Sequence, residues 1–293
     1  MANETVSSSI NHYIYEEHIP TFAAQYRYGG DLSGIIPWVE QVPKGGGTDF
    51  RFPRAQEVTV PAGTKTEGTG AFTNVEFQST AAVATSGVFG FTYDISRESQ
   101  YDSRPQIPQT ALEAGLKAMQ RRLNTDMFAP ATALTGPNLV GSDSVDLDVD
   151  LLLEGLAAFE AVNPESKNIA VVVSNGQPWA DLLASMSSSA ASLMPDGFRN
   201  AQSAAAGYKG TILNGSVALF TSPHIATSTG ASVGVITEMG RGRSGLGVAV
   251  WQRTQIEREP VGGRYADLWH FSARTGCVLT GEPIVALRSR ATA

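Results

Sequence analysis

Five long apolar side chains recur at helical spacing between Thr110 and Pro130: Leu112, Leu116, Met119, Leu123 and Met127. At about 100° per residue they fall on one narrow stripe, the mark of a helix with one buried face. Thr110 followed by Glu113 fits a capping box, in which hydroxyl and carboxylate satisfy the first free N–H groups. Pro130 has no N–H and ends the pattern. The expected rod is roughly 27 Å long at about 1.5 Å per residue. Gly115 inside it is about 1 kcal/mol less favourable than Ala, so a close approach by another backbone is expected there. Residues before this helix read as extended, and those after it as a compact mixed domain. That order points to a building block rather than an enzyme.

Extended segments need a partner surface, and the composition is consistent with one. Of 293 residues, 42% are hydrophobic, enough for a real core, yet only 17% are charged, against about 25% in ordinary soluble domains. Less of the surface is built for water, as in subunits with large obligate interfaces. The net charge of −7 gives no basic face of the kind that grips phosphates. Cys277 is the single cysteine, which rules out a disulfide framework and a clustered thiolate site. No apolar run reaches the roughly 18 residues of a membrane helix. MANETVSSSI at the start lacks signal-peptide regions, so an origin in the cytoplasm is expected.

Residues Met1 to Gly34 read as an aromatic arm that orders by lying on something else, with His12, Tyr13, Tyr15, His18, Phe22, Tyr26 and Tyr28. From Ile35 to Phe91 short alternating runs (Phe50 and Phe52, Val58 and Val60, Val75 and Phe77) are separated by Gly and Pro. This predicts a long hairpin without a core of its own. Beyond the long helix and a polar connection, Gly136 to Asp146, a second helix is expected over Leu147–Val162. Asp148 and Asp150 lie at its positive end. Ile169–Val173 is an apolar run typical of a strand buried on both faces. Asn175-Gly176 turns the chain, and Pro178 opens a third helix carrying Trp179, Leu182, Leu183 and Met186. Thr211–Leu219 reads as a hairpin around Asn214-Gly215. Val233–Ile236, Val248–Trp251, Gln252–Glu259, Tyr265–Phe271, Cys277–Leu279 and Ile284–Leu287 complete a strand-rich end.

The motifs that suggest chemistry lose to plainer explanations. Gly240-Arg241-Gly242-Arg243-Ser244-Gly245 has the letters of a dinucleotide fingerprint, but the following Leu246–Trp251 reads as strand, not the required helix. A basic turn between strands is expected. Lys44-Gly45-Gly46-Gly47-Thr48 holds P-loop letters in the wrong order. Asp143, Asp146, Asp148 and Asp150 lack calcium-loop spacing. His12 and His18 fit no local zinc motif, and there is no nucleophile elbow. No catalytic, cofactor-binding or metal-ligating residue is assigned, and no cofactor is expected.

The order of the parts resembles the major capsid proteins of tailed bacteriophages, an α+β architecture of the Hong Kong 97 type. That family has an N-terminal arm, an extended β-hairpin loop, a spine helix, a peripheral domain and an axial domain. Ile169–Ser174 followed by Asn175-Gly176-Gln177-Pro178-Trp179-Ala180-Asp181-Leu182 is similar to the family's apolar strand and helix. Gly207–Val217 resembles its Gly-rich axial hairpin, and Thr254–Glu259 with Cys277–Leu287 its return strands. The resemblance implies an arm over 1–34, an extended loop over 35–91 and a peripheral domain with the spine helix over 92–165. It also implies an axial domain over 166–250 and return strands of the peripheral domain over 251–293.

The function implied is self-assembly into hexamers and pentamers of an icosahedral shell around double-stranded DNA, in the virion. Portal, scaffolding and decoration proteins are the implied partners, with no sequence-specific DNA contact and no membrane. Some relatives begin with a scaffolding segment; none precedes the arm here, so a separate scaffold is expected. An encapsulin-like nanocompartment with enzyme cargo is the nearest alternative, and a soluble enzyme with a dispersed site the alternative of another class. Some relatives lock their shells through a loop Lys. Of the five lysines here, only Lys44 and Lys65 lie in the loop, both among Gly, Pro and Thr. Such wet turns leave an amine charged and unreactive, so a non-covalent shell is expected.

Overall fold

The computed structural model describes residues 32, 35–55, 79–96, 106–189, 208–213, 216–225, 227–228, 230–260 and 266–291. Apart from Leu32, the arm lies outside this set, as do Val58, Val60, Lys65, Val75, Phe77, Asn214 and Gly215.

The long helix, α1, spans Gln106–Phe128, 23 residues and roughly 34 Å. It begins four residues earlier than the sequence suggests, so Thr110 lies inside the helix and does not cap it. Pro108 explains the earlier start: in the first turn its missing N–H has no intrahelical partner to lose. After Phe128 the chain tightens into a 3₁₀ turn, Ala129–Ala133, with Pro130 near its start. The predicted stripe faces inward. Met119 and Met127 are buried, and Leu112, Leu116 and Leu123 are partly so.

Four strands lie under α1 in the order β1-β11-β12-β4, comprising Trp38–Gln41, Leu246–Pro260, Ala266–Leu279 and Gly87–Ser96. Strand β1 runs parallel to β11, and the other neighbours are antiparallel. Met119 and the partly buried Leu112 and Leu116 pack on Ile95, Ile256, Trp269, Phe271 and Ala273. Phe271 stacks on Phe91 with centroids 4.9 Å apart. Gly115 sits over that Phe271 ring, and a Cβ there would overlap it. The close approach expected at Gly115 is therefore real, but it is by a phenyl ring and not a backbone.

Seven strands form the second sheet. Its path is β5-β13-β10-β6-β8-β7, with β9 beside β10. These are Leu139–Gly141, Ile284–Arg290, Ala231–Glu238, Ile169–Ser174, Val217–Ser222, Tyr208–Ile212 and Thr227–Ser228. Helices α2 (Val149–Val162) and α3 (Gln177–Ser189) cover one face. The end of α1, Ile36 and the start of β11 cover the other. Strand β6 divides its side chains between them: Ile169, Val171 and Val173 face α2 and α3, while Ala170 and Val172 face the opposite core. Burial on both faces is why this run shows no polar alternation. Asp148 caps α2, accepting the Leu151 N–H at 2.8 Å, and Asn163 ends it. Strand β13 returns to β10, so the last strand joins the sheet built around β6.

Candidate assembly surface

Two strands stand apart from both sheets. Strand β2 (Asp49–Ala55) pairs, among the described residues, only with β3 (Ser79–Thr85), from Asp49↔Thr85 to Ala55↔Ser79. Such a pair is marginal in water unless something covers it. Here the same chain covers its root. Phe52 is fully buried among Trp38, Val42, Ala84 and Ala249. Trp38 meets Phe52 edge-on at 5.1 Å, and Phe50 does so at 5.0 Å. Gly247 lets the Phe52 ring come within about 3.0 Å of where a Cβ would stand. The expectation of a coreless hairpin thus fails at its described root, because Phe52 is shared with β1 and β11.

Polar contacts fix the same root. Trp251 donates its indole N–H to the Gly47 carbonyl at 2.9 Å, and Arg274 reaches the Ser86 hydroxyl at 2.8 Å. The Ser86 N–H donates to Thr48 O at 2.8 Å. Arg54 lies 4.0 Å from Glu282. The hairpin is thus held at its base, and its outward face presents Arg51, Ala81 and the exposed Val83. Other large apolar side chains in water are Val88 on β4, Val39 on β1, Val145, Leu213, and Leu153 and Val162 on α2. Strand β4 is ten residues long and ends its sheet, leaving one side without a strand partner among the described residues. Long open edges are what assembly covers and what monomers blunt.

The residues that invite a chemical reading find structural roles. The segment Gly240–Gly245 is a turn between β10 and β11, as expected. Arg241 forks onto Glu40 at 2.5 and 3.0 Å, and Arg243 reaches the buried Glu238 at 3.0 Å. Both guanidinium groups are thus occupied by carboxylates of the same chain. Asp143 pairs with Arg288 and Asp146 with Arg290, which clamps the connection before α2 onto β13. Among the described residues no group of three or more His, Cys, Asp or Glu is arranged to hold a metal ion. No described helix is long and apolar enough to cross a membrane. Lys44 is exposed, in a turn where Gly45 and Gly47 take positive φ.

One arrangement was not legible beforehand. Thr92 Oγ1 lies 2.9 Å from His270 Nδ1, and His270 Nε2 lies 3.2 Å from Glu259. Hydroxyl, imidazole and carboxylate are linked as in a hydrolase, but across three strands of an exposed sheet face. Catalysis of that kind needs a site that excludes water and donors for an oxyanion; an open face gives cross-strand pairing instead. Burial lowers the pKa of His224, with a contribution from Arg121. Burial also pushes the Cys277 thiol up to about 12, with Asp126 adding to the shift. A thiol held protonated is a poor nucleophile.

No family model matches the sequence, and no curated protein resembles it. Solved structures match in shape. The capsid of Ralstonia phage GP4 aligns with a TM-score of 0.62 over 88% of this chain and 86% of its own, at 14% identity. The capsid of cyanophage P-SCSP1u gives 0.61, covering 90% of both chains at 12% identity. The SrpI encapsulin of Synechococcus elongatus PCC 7942 gives 0.62 over 89% of this chain and 88% of its own, also at 12%. The chain therefore has the α+β capsid fold of the Hong Kong 97 type, as the order of its elements led us to expect.

Proposed function

We propose that this chain is the major capsid protein of a tailed double-stranded DNA bacteriophage. Many copies assemble into hexamers and pentamers that close an icosahedral shell. One observation carries the reading: about nine-tenths of the chain shares its fold with proteins solved as phage capsids. Low overall charge and, among the described residues, an open β4 edge and a hairpin rooted in the body but paired with no further strand support it. The function is mechanical: it repeats one set of contacts. In this reading 1–34 is the arm, 35–91 the extended loop, 92–165 and 251–293 the peripheral domain, and 166–250 the axial domain. Strand β13 is an exception, since it pairs with axial strands. Portal, scaffolding and decoration proteins are its partners, and the finished particle is the virion. The acidic balance suits a wall that must not trap packaged DNA.

A second reading has its own support, because the SrpI encapsulin matches equally well. The fold does not separate the two; the contents do. Electron microscopy of particles purified from the source, followed by analysis of what they hold, tests both. Closed shells containing double-stranded DNA support the capsid. Shells filled with an enzyme select the nanocompartment, and absence of shells overturns both.

A further inference from the structure

Helices α1 and α2 stand on opposite sides of the second sheet. Helix α2 packs on the face carrying Ile169, Val171 and Val173, and the end of α1 on the face carrying Ala170 and Val172. Their outer sides therefore point away from each other, and neither can cover the other within one chain.

Each outer side has a row of small or apolar residues with charged flanks, and the two charges are opposite. On α2 the exposed Leu153, Ala157 and Ala161 recur at steps of four, which places them on one side of the helix. Leu153 is 40% exposed. The exposed Glu154 flanks this row on one side, the exposed Glu160 on the other, and the exposed Asp150 lies at its start. The helix contains no Lys or Arg. On α1 the exposed Ala114, Ala118 and Thr125 lie opposite the buried stripe. The exposed Lys117 and Arg121 border them on one flank and the exposed Arg122 on the other. The two acids of that helix, Glu113 and Asp126, are half-buried. Arg122 pairs with Asp126, but its side chain is 64% exposed. Such a pair is weak and leaves the guanidinium able to take a second carboxylate.

Two copies could bring these faces together in different ways. Packing α2 on α2 about a twofold axis sets acid against acid, and α1 on α1 sets base against base. Packing α2 of one copy on α1 of the next opposes acid and base along both flanks. The alanines in the two rows let the helices approach closely. That contact is head to tail, because it joins two different surfaces of the same chain. A head-to-tail contact repeats in one direction and closes a ring when the rotation per step allows it.

We propose that the outer side of α2 docks on the outer side of α1 in the next copy, and that this contact closes the rings of the shell. It deepens the self-assembly reading above and rests on it. Acid on one side of the body and base on the other give every subunit one donor face and one acceptor face, so the same contact serves rings of five and of six.

Sedimentation velocity of the full-length chain tests this with two charge-reversed variants, both changed at exposed positions. One carries Glu154→Lys with Glu160→Lys, the other Arg121→Glu with Arg122→Glu. Alone, each variant sets like charges face to face at every step. The concentration needed for association should rise at least about tenfold, since like-charge contacts are costly, while the thermal midpoint of the subunit stays unchanged. Mixed in equal amounts, the two variants are complementary in both directions, and association should return. Such mixed rings must alternate, so rings of six should form and rings of five should not. A chain carrying all four substitutions should associate like wild type. Variants that each associate like wild type, or that stay apart when mixed, refute the contact while wild-type assembly upholds the shell. The two faces are then left to other partners, such as a basic protein on α2 or nucleic acid on α1. A wild-type chain that remains monomeric overturns the shell and this contact together.

Discussion

At the scale of single residues, Gly115 is the sharpest test of the long helix's seating. Alanine normally improves a helix interior by about 1 kcal/mol over glycine. Here the new methyl would meet the Phe271 ring, and overpacking typically costs about 1–3 kcal/mol. Gly115→Ala should therefore lower the urea midpoint of the subunit, and Phe271→Leu in the same chain should restore part of the loss. An increase in the midpoint would mean α1 does not rest on that ring. Cys277 gives a second prediction. With its pKa at about 12, the thiol stays protonated through the ordinary range. Alkylation by iodoacetamide at about pH 8 should be slow in the native chain and become fast on denaturation. The Gly115 contact was half legible, since an unexplained glycine within a helix signals a close approach but not its partner. The pairs Arg241–Glu40 and Thr92–His270 were not legible, because the residues in each lie 201 and 178 positions apart.

At the scale of elements, the sequence located most helices and strands but divided the longest strands. Strand β11 was expected as two pieces, Val248–Trp251 and Gln252–Glu259. It is one strand whose register with β12 shifts between Val250 and Gln252 and again between Gln252 and Gln255. Each shift changes which side chains face the core, so alternation read in one phase breaks there. In β12, Ser272–Gly276 carries too little apolar bulk to read as strand. Its small residues leave space for neighbours: Ala273 lies under α1, and a Cβ on Gly276 would overlap Thr85 O. The rooted hairpin leads to a prediction at this scale. Because Phe52 and Ala84 seat its base on the body, replacing Gln56–Phe72 by a short Gly-Ser link should leave the thermal midpoint nearly unchanged while blocking assembly. Insolubility of the shortened chain, or normal particles from it, would show that the segment has another role. The cap of α2 is a smaller test. Asp148→Ala removes the acceptor of the Leu151 N–H and should destabilise the chain by about 1 kcal/mol in urea titration.

At the scale of the whole molecule, the start of β11 packs against the second sheet, so the two sheets have adjoining cores, while among the described residues the hairpin and the β4 edge end without a further strand partner. A body that is firmly built but open at its margins is suited to repetition. Lys44 is exposed and Cys277 is the single cysteine, so we expect repetition without covalent links. Mature particles boiled in detergent should run as one band near 31.0 kDa; a ladder that survives reduction would contradict this. Self-association itself is tested most directly by sedimentation velocity of the purified chain under native conditions over a wide concentration range. The account predicts pentamers, hexamers or closed shells in place of single subunits. A single boundary at the 31.0 kDa monomer mass at every concentration would contradict it.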